Sequence, residues 1–208
     1  MSPSKRVIYY IGGSPCSGKS TVAQALSEKF GLLYFKVDDH LSRYLKMGAS
    51  DGKECCRSVG RMTPDQNWMR DPLIQCGEEL LIYQEIIDYI LDDLENADGR
   101  GGIITEGAAY LPMLAKRYNI PSNRYISITP TKDFQIFHYT KRTWVPHILA
   151  GCSDQARAFE NWMERDALFA KAIQQQCSEL GYISLINDGN ASEYDLIRRV
   201  AAHFGLVE

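Results

Sequence analysis

The chain has 208 residues, 45% of them hydrophobic and 24% charged, an ordinary balance for a soluble globular protein and ample to bury one core. A net charge of −3 argues against sequence-independent binding to nucleic acid, which relies on a large basic excess to displace counterions, although a local basic groove is compatible with it. No apolar run reaches the roughly eighteen residues needed to cross a bilayer, and MSPSKR leads into the first apolar run without a signal peptide's hydrophobic stretch, so a cytoplasmic protein is expected.

The first element is an apolar run at 7–11, suited to a strand buried on both faces, followed at once by GGSPCSGKST. Gly13 and Gly18-Lys19-Ser20 have Walker A spacing, and Val22, Ala23, Leu26 and Phe30 follow at helical spacing, so strand, loop and helix come in the order the motif requires. In such a loop, residues Gly13, Ser14, Pro15, Cys16, Ser17, Gly18, Lys19, Ser20 and Thr21 wrap phosphate groups with backbone N–H. Lys19 neutralises the outer phosphates, and the Ser20 hydroxyl is a ligand for Mg²⁺.

Gly31 stops the first helix, and 32–37 reads as a second strand ending on Asp38-Asp39-His40. Acids there stand where open parallel sheets place their ligands, though either one could instead cap a helix starting near His40. A short helix is expected at 41–47. Residues 48–65, rich in Gly, Ser, Asp, Lys and Arg, read as the longest irregular stretch, in keeping with a lid or binding segment. Arg57, Arg61 and Arg70 could clamp an anion or be solvated surface charge, and Trp68 could line an acceptor pocket or anchor packing.

A helix from Pro72 to about Ala97 carries a core stripe including Leu80, Tyr83, Ile87 and Leu94. Residues 98–102 form a sharp turn, and a brief strand at 103–105 ends in Glu106, the counterpart of an acid that holds the metal or its waters. A helix at 108–118 interrupted near Pro112, a strand at 125–128 and a helix starting at 129–131 and running to about 139 follow. Breaks at Pro146 and Gly151 mark 141–153 as a mobile lid.

The helix at 154–180 carries Arg157 and Arg165 about two turns apart, and with Arg142 these are candidates to stabilise charge on a transferring phosphoryl group. A fifth strand at 182–186 turns at 187–190, beside the place of a nucleotide base, into a last helix with capping-box spacing at Asn190 and Glu193. The six cysteines lack paired C-x-x-C spacing and are expected as free thiols; Cys55-Cys56 could be a reactive or metal-binding feature but reads rather as loop thiols without function.

The layout resembles the small P-loop kinases, a family that includes nucleoside monophosphate, shikimate and gluconate kinases and chloramphenicol phosphotransferase; GGSPCSGKST carries the resemblance most specifically, VDD at 37–39 and ITEG at 104–107 less so. It implies one α/β domain over 1–208, a three-layer α/β/α fold with a five-stranded parallel sheet in the order 2-3-1-4-5. A substrate-binding insertion at about 41–75 and a lid at about 141–157 are implied with it.

The implied activity is Mg²⁺-dependent transfer of the γ-phosphoryl group of ATP to a hydroxyl or phosphate of a small-molecule acceptor, by a monomer or homodimer. Lys19, Asp38, Arg142, Arg157 and Arg165 are the implied catalytic set, Asp38 accepting the acceptor's proton or orienting its hydroxyl. Ser20, Asp39 and Glu106 are the implied metal set. The chain lacks the arginine-rich lid signature of monophosphate kinases and an Asn-Lys-x-Asp guanine motif. A nucleotide-dependent switch is the rival from another class.

Overall fold

The computed structural model describes residues 6–99 and 101–206; residues 1–5, Arg100 within the expected turn at 98–102, and the last two residues lie outside them. Five parallel strands form one sheet: β1 (Ile8–Gly13), β2 (Leu33–Lys36), β3 (Ile103–Glu106), β4 (Tyr125–Pro130) and β5 (Ile183–Asn187), in the spatial order β2-β3-β1-β4-β5. The expected order 2-3-1-4-5 is the order observed. The most apolar runs take the inner positions: β3 and β4 are buried throughout, and β1 is buried after its first residue.

Alternation along the strands divides the core between two faces. Tyr9, Ile11, Ile104 and Ile128 face α1 (Lys19–Phe30) and α10 (Glu193–Phe204), packing with Val22, Leu26, Val200 and Phe204. Tyr10, Ile103 and Tyr125 face the other side, where α5 (Pro72–Asn96) and α9 (Gln155–Leu180) run together and Ile86, Ile90 and Phe169 are fully buried. Each such side chain contributes roughly 1.5–3 kcal/mol by leaving water.

The segment expected to be irregular is mostly helical: α2 (Leu41–Ser50), α3 (Glu54–Val59) and α4 (Pro64–Trp68). Three causes override the polar, glycine-rich composition. Gly48 lies inside α2 as a packing residue, since a Cβ there would come within 2.7 Å of Cys56 Sγ. The Glu85 carboxylate on α5 accepts the N–H groups of Cys55 (3.0 Å) and Cys56 (2.9 Å), capping α3 from a neighbouring helix. Thr63 and Gln66 form a reciprocal capping box at α4, with Pro64 at the first helical position.

Three further expectations are corrected. The helix expected over 108–118 is only α6 (Pro112–Arg117), because Pro112 suits a first turn and would break an interior. The lid region is not without regular structure: after α7 (Lys132–Tyr139) it forms α8 (Val145–Leu149), with Pro146 in its first turn. The last helix is capped by Ser192, which accepts from Asp195 N–H, rather than by Asn190, which bonds back to Asp188 instead. All six cysteines are unpaired, four of them buried. Among the described residues no helix is long and apolar enough to cross a membrane.

Candidate active site

The phosphate loop joins β1 to α1 at the carboxyl edge of the sheet. Gly13 has φ of 119° and lies against β4, where a Cβ would fall 1.9 Å from the Ile128 carbonyl oxygen, so only glycine fits. Gly18, at φ of 92°, forms the N-cap of α1 and turns the loop into the helix N-terminus, where backbone N–H groups and the helix dipole favour anions. Cys16 also takes a left-handed conformation, with φ of 58°. Asn187, at the end of β5, braces the loop by donating from Nδ2 to Ser17 O at 3.0 Å.

Within the loop Lys19 is buried and donates to Ser14 O at 2.6 Å and to Ser17 Oγ at 3.4 Å. Ser20 Oγ donates to Glu106 Oε1 at 2.8 Å, joining the motif hydroxyl to the acid ending β3. Tyr34 Oη donates to the same carboxylate oxygen at 3.0 Å. Burial and the Glu106 charge hold the Tyr34 phenol well above its ordinary range, so it remains a donor. Ser20 and Glu106 are thus brought together, a hard-oxygen pair suited to Mg²⁺. Among the described residues no three His, Cys, Asp or Glu side chains cluster as a metal cage, so such an ion would complete its shell with water and phosphate oxygens.

Asp38 and Asp39 stand not on β2 but in a single 3-10 turn after it, Val37–Asp39. Both are exposed, and neither side chain caps α2. Asp39 pairs with Lys36 at 3.6 Å rather than joining Ser20 and Glu106, although its charge reaches Tyr34. The charge of Asp38 acts on the α5 residues Glu79 and Tyr83, helping to raise both.

The three candidate arginines part company. Arg142 lines a cavity of about 490 Å³ beside the loop, with Cys16, Gly18, Thr21, Phe134 and Asn187. It lies against the rings of Tyr139 and Trp144, 5.1 and 5.4 Å from their centroids. Burial raises the Cys16 thiol above its usual range, and the Arg142 charge partly offsets this. Arg157 points to solvent and pairs with Glu160 at 3.5 Å, lining neither this cavity nor the one described next; the residues separating it from Arg165 carry it two turns away, toward the exposed start of α9.

Arg165 is enclosed. It donates to Asp166 Oδ1 from Nε (2.8 Å) and Nη2 (2.6 Å), its Nε lies 3.2 Å from Glu79 Oε2, and it sits 5.1 Å from the Trp68 ring centroid. Burial works against its charge, but Asp166 and Glu79 more than compensate and keep the guanidinium protonated.

A second cavity, of about 140 Å³, opens between α2, α4, α5 and α9 and is lined by Leu41, Val59, Arg70, Gln75, Glu79 and Arg165, among others. It includes Arg70, paired with Glu78 at 2.6 Å, from the arginine-rich segment; Arg57 and Arg61 instead line a shallow open depression on the far side of Arg70. Trp68 is a packing anchor, stacked on Trp162 at 4.5 Å. Around this pair Tyr139, Val145, Leu149 and Cys152 form a third core cluster that docks residues 139–152 beside α4, and Asp65 accepts from Ser153 N (2.7 Å) and Oγ (3.1 Å).

Sequence reasoning missed Tyr34, Glu79, Asp166 and Phe134. Phe134 reads as one more helical aromatic, and Glu79 and Asp166 as helix-surface charge; only the crossing of α5 and α9 turns the last two inward.

No protein-family profile matches the chain, and no curated protein matches it. Solved structures do. The Thermus thermophilus protein TT1252 is 14% identical, with 99% of this chain and 100% of that one covered and a TM-score of 0.52. A shikimate kinase from Acinetobacter baumannii, in complex with shikimate, is 14% identical over 95% of this chain and 92% of its own, TM-score 0.46. A shikimate kinase from Aquifex aeolicus is 16% identical over 96% of each chain, TM-score 0.40. The likeness is one of fold: a three-layer α/β/α architecture, with a 2-3-1-4-5 sheet and the phosphate loop between its central strand and first helix.

Proposed function

We propose that this protein is a phosphotransferase that moves the γ-phosphoryl group of Mg²⁺·ATP to a hydroxyl or phosphate of a small-molecule acceptor. The observation that carries the reading is the hydrogen bond between Ser20 and Glu106. It joins the loop hydroxyl to a strand-end acid on the same sheet edge as Asp38, supplying both a place for the metal and a neighbouring candidate base.

Ser20 and Glu106 would hold Mg²⁺, Glu106 directly or through water; when bound, the ion supplies charge neutralisation to the phosphates. Lys19, released from Ser14 O and Ser17 Oγ, donates to the outer phosphate oxygens, while the N–H groups of 13–20 fix their position. Arg142 brings a second cation to the open side of the loop. Phe134 offers the base an aromatic wall, and Asn187 holds the loop in shape. Asp38 takes the acceptor's proton or orients its hydroxyl. Most of the acceleration in such transfer comes from positioning and charge, which suits a site with a single candidate base.

The test is an ATP-consumption screen over hydroxylated metabolites and nucleosides, with Asp38→Asn as the blank. The expected result is consumption stimulated by a particular compound and lowered at least about 100-fold in Asp38→Asn, with ATP affinity retained. Full turnover in the variant would remove Asp38 from the mechanism.

A further inference from the structure

Glu106 is 1% exposed, and a carboxylate so enclosed needs hydrogen-bond donors. It has two, and both serve one oxygen. Ser20 Oγ, from the start of α1, donates to Oε1 at 2.8 Å, and Tyr34 Oη, from β2, donates to the same atom at 3.0 Å. A carboxylate oxygen has two lone pairs, so Oε1 is fully used. Oε2 accepts no hydrogen bond among the described residues.

The strand register builds this arrangement. Lys36 stands opposite Glu106 and Tyr34 opposite Ile104, and because side chains alternate along a strand, Tyr34 and Glu106 share one face of the sheet. Tyr34 thus sits one pleat back from the residue paired with the acid, a gap that its long side chain closes. Its ring packs against the cluster containing Val22, Ala23 and Leu26, which fixes the direction of the hydroxyl.

We propose that Tyr34 is a positioning residue for the metal of the phosphotransferase reading, on which this inference rests: with Ser20 it occupies Glu106 Oε1, so that Glu106 offers the ion, or one of its waters, Oε2 alone. Ser20 by itself leaves the carboxylate free to turn about a single hydrogen bond. A second donor, from a different element, holds its plane. The consequence is selectivity. Ca²⁺ accepts flexible shells and often both oxygens of one carboxylate, whereas Mg²⁺ demands near-ideal octahedral positions. A carboxylate held with one free oxygen suits Mg²⁺ and opposes bidentate binding of Ca²⁺.

Mn²⁺ stands in for Mg²⁺ in the test. Its binding to the full-length protein with ADP is followed by EPR, with Mn²⁺ and ADP alone as the reference, and Ca²⁺ is then added as competitor. Tyr34→Phe keeps the ring and removes the hydroxyl. It should weaken Mn²⁺ at least about tenfold, as loss of a partner behind a metal-binding carboxylate does, and shrink the preference for Mn²⁺ over Ca²⁺ severalfold. ADP affinity in EDTA should be unchanged, and Tm should fall by no more than about 4 °C, the shift expected for one hydrogen bond in a chain of this size. Tyr182→Phe is the comparison: it removes a phenol that donates to Ile120 O at 2.9 Å at the opposite edge of the sheet, and should lower stability alone. Mn²⁺ affinity within about twofold of the parent's, an unchanged preference over Ca²⁺, or equal weakening in Tyr182→Phe overturns the proposal. A parent protein that binds ADP without Mn²⁺, or binds no ADP, overturns the phosphotransferase reading and the proposal with it.

Discussion

Gly13 is the residue on which the site depends most directly. Gly13→Ala adds a methyl group 1.9 Å from the Ile128 carbonyl at a φ of 119°, so both the β1–β4 contact and the loop conformation must yield. The expected loss exceeds about 3 kcal/mol, among the largest for a point change, and is measured by the shift in urea midpoint. Cys16 gives a probe of the same loop. It and Cys55 are the only half-exposed cysteines of the six, and burial raises both thiols above the ordinary range. Alkylation should therefore be slow at neutral pH and accelerate as pH rises through and beyond the ordinary thiol range, because the thiolate reacts. Mg²⁺·ATP should protect Cys16 and leave Cys55 unchanged, as peptide mapping of the alkylated protein would reveal; equal protection of both, or of neither, would count against nucleotide lying over the loop.

At the scale of elements, α3 and the α5–α9 pair carry separate predictions. Glu85 caps α3, and although its burial alone would raise the carboxyl, the N–H groups of Cys55 and Cys56 outweigh that and lower it. The folded-state value lies below the unfolded one. The stabilisation is therefore complete above the unfolded carboxyl pKa, near 4.3, and is lost as pH falls through the depressed folded value. Glu85→Ala should cost about 1 kcal/mol near neutral pH, as a lost cap does, and that difference from the parent should fade in acid unfolding curves. Between α5 and α9, Arg165→Met would leave Glu79 and Asp166 facing one another without their cation. A destabilisation of about 3–5 kcal/mol at neutral pH is expected, reduced at acid pH where the carboxyls protonate, and chemical denaturation at both pH values measures it.

At the scale of the whole molecule, the half of the candidate site proposed for the phosphoryl donor was legible in the chain and the half proposed for the acceptor was not, for a physical reason. The phosphate loop is a local motif: backbone geometry, two special glycines and a helix N-terminus all lie within a few residues, and the alternating strands and helices around it determine where it sits. Glu106 was legible because a strand end is identifiable from its apolar run. The second cavity draws on α2, α4, α5 and α9, and a sequence cannot reveal that Glu79 and Asp166 meet across a helix crossing, or that Arg157 on the same helix turns to water. The segment at 48–65 misled for a related reason: Gly48 packs and Glu85 caps from a distance, so α2's end and α3 depend on tertiary contacts, and only the Thr63–Gln66 capping box of α4 is a local signal.

The central claim, phosphoryl transfer at this sheet edge to a small acceptor, is tested most directly by following Mg²⁺·ATP with the protein and a mixture of hydroxylated compounds by ³¹P NMR. The account predicts a new phosphate-monoester resonance growing in step with ADP, absent when Mg²⁺ is omitted and reduced at least about 100-fold in Asp38→Asn. Inorganic phosphate as the sole product, released at a rate that neither the added compounds nor Asp38→Asn changes, would contradict it.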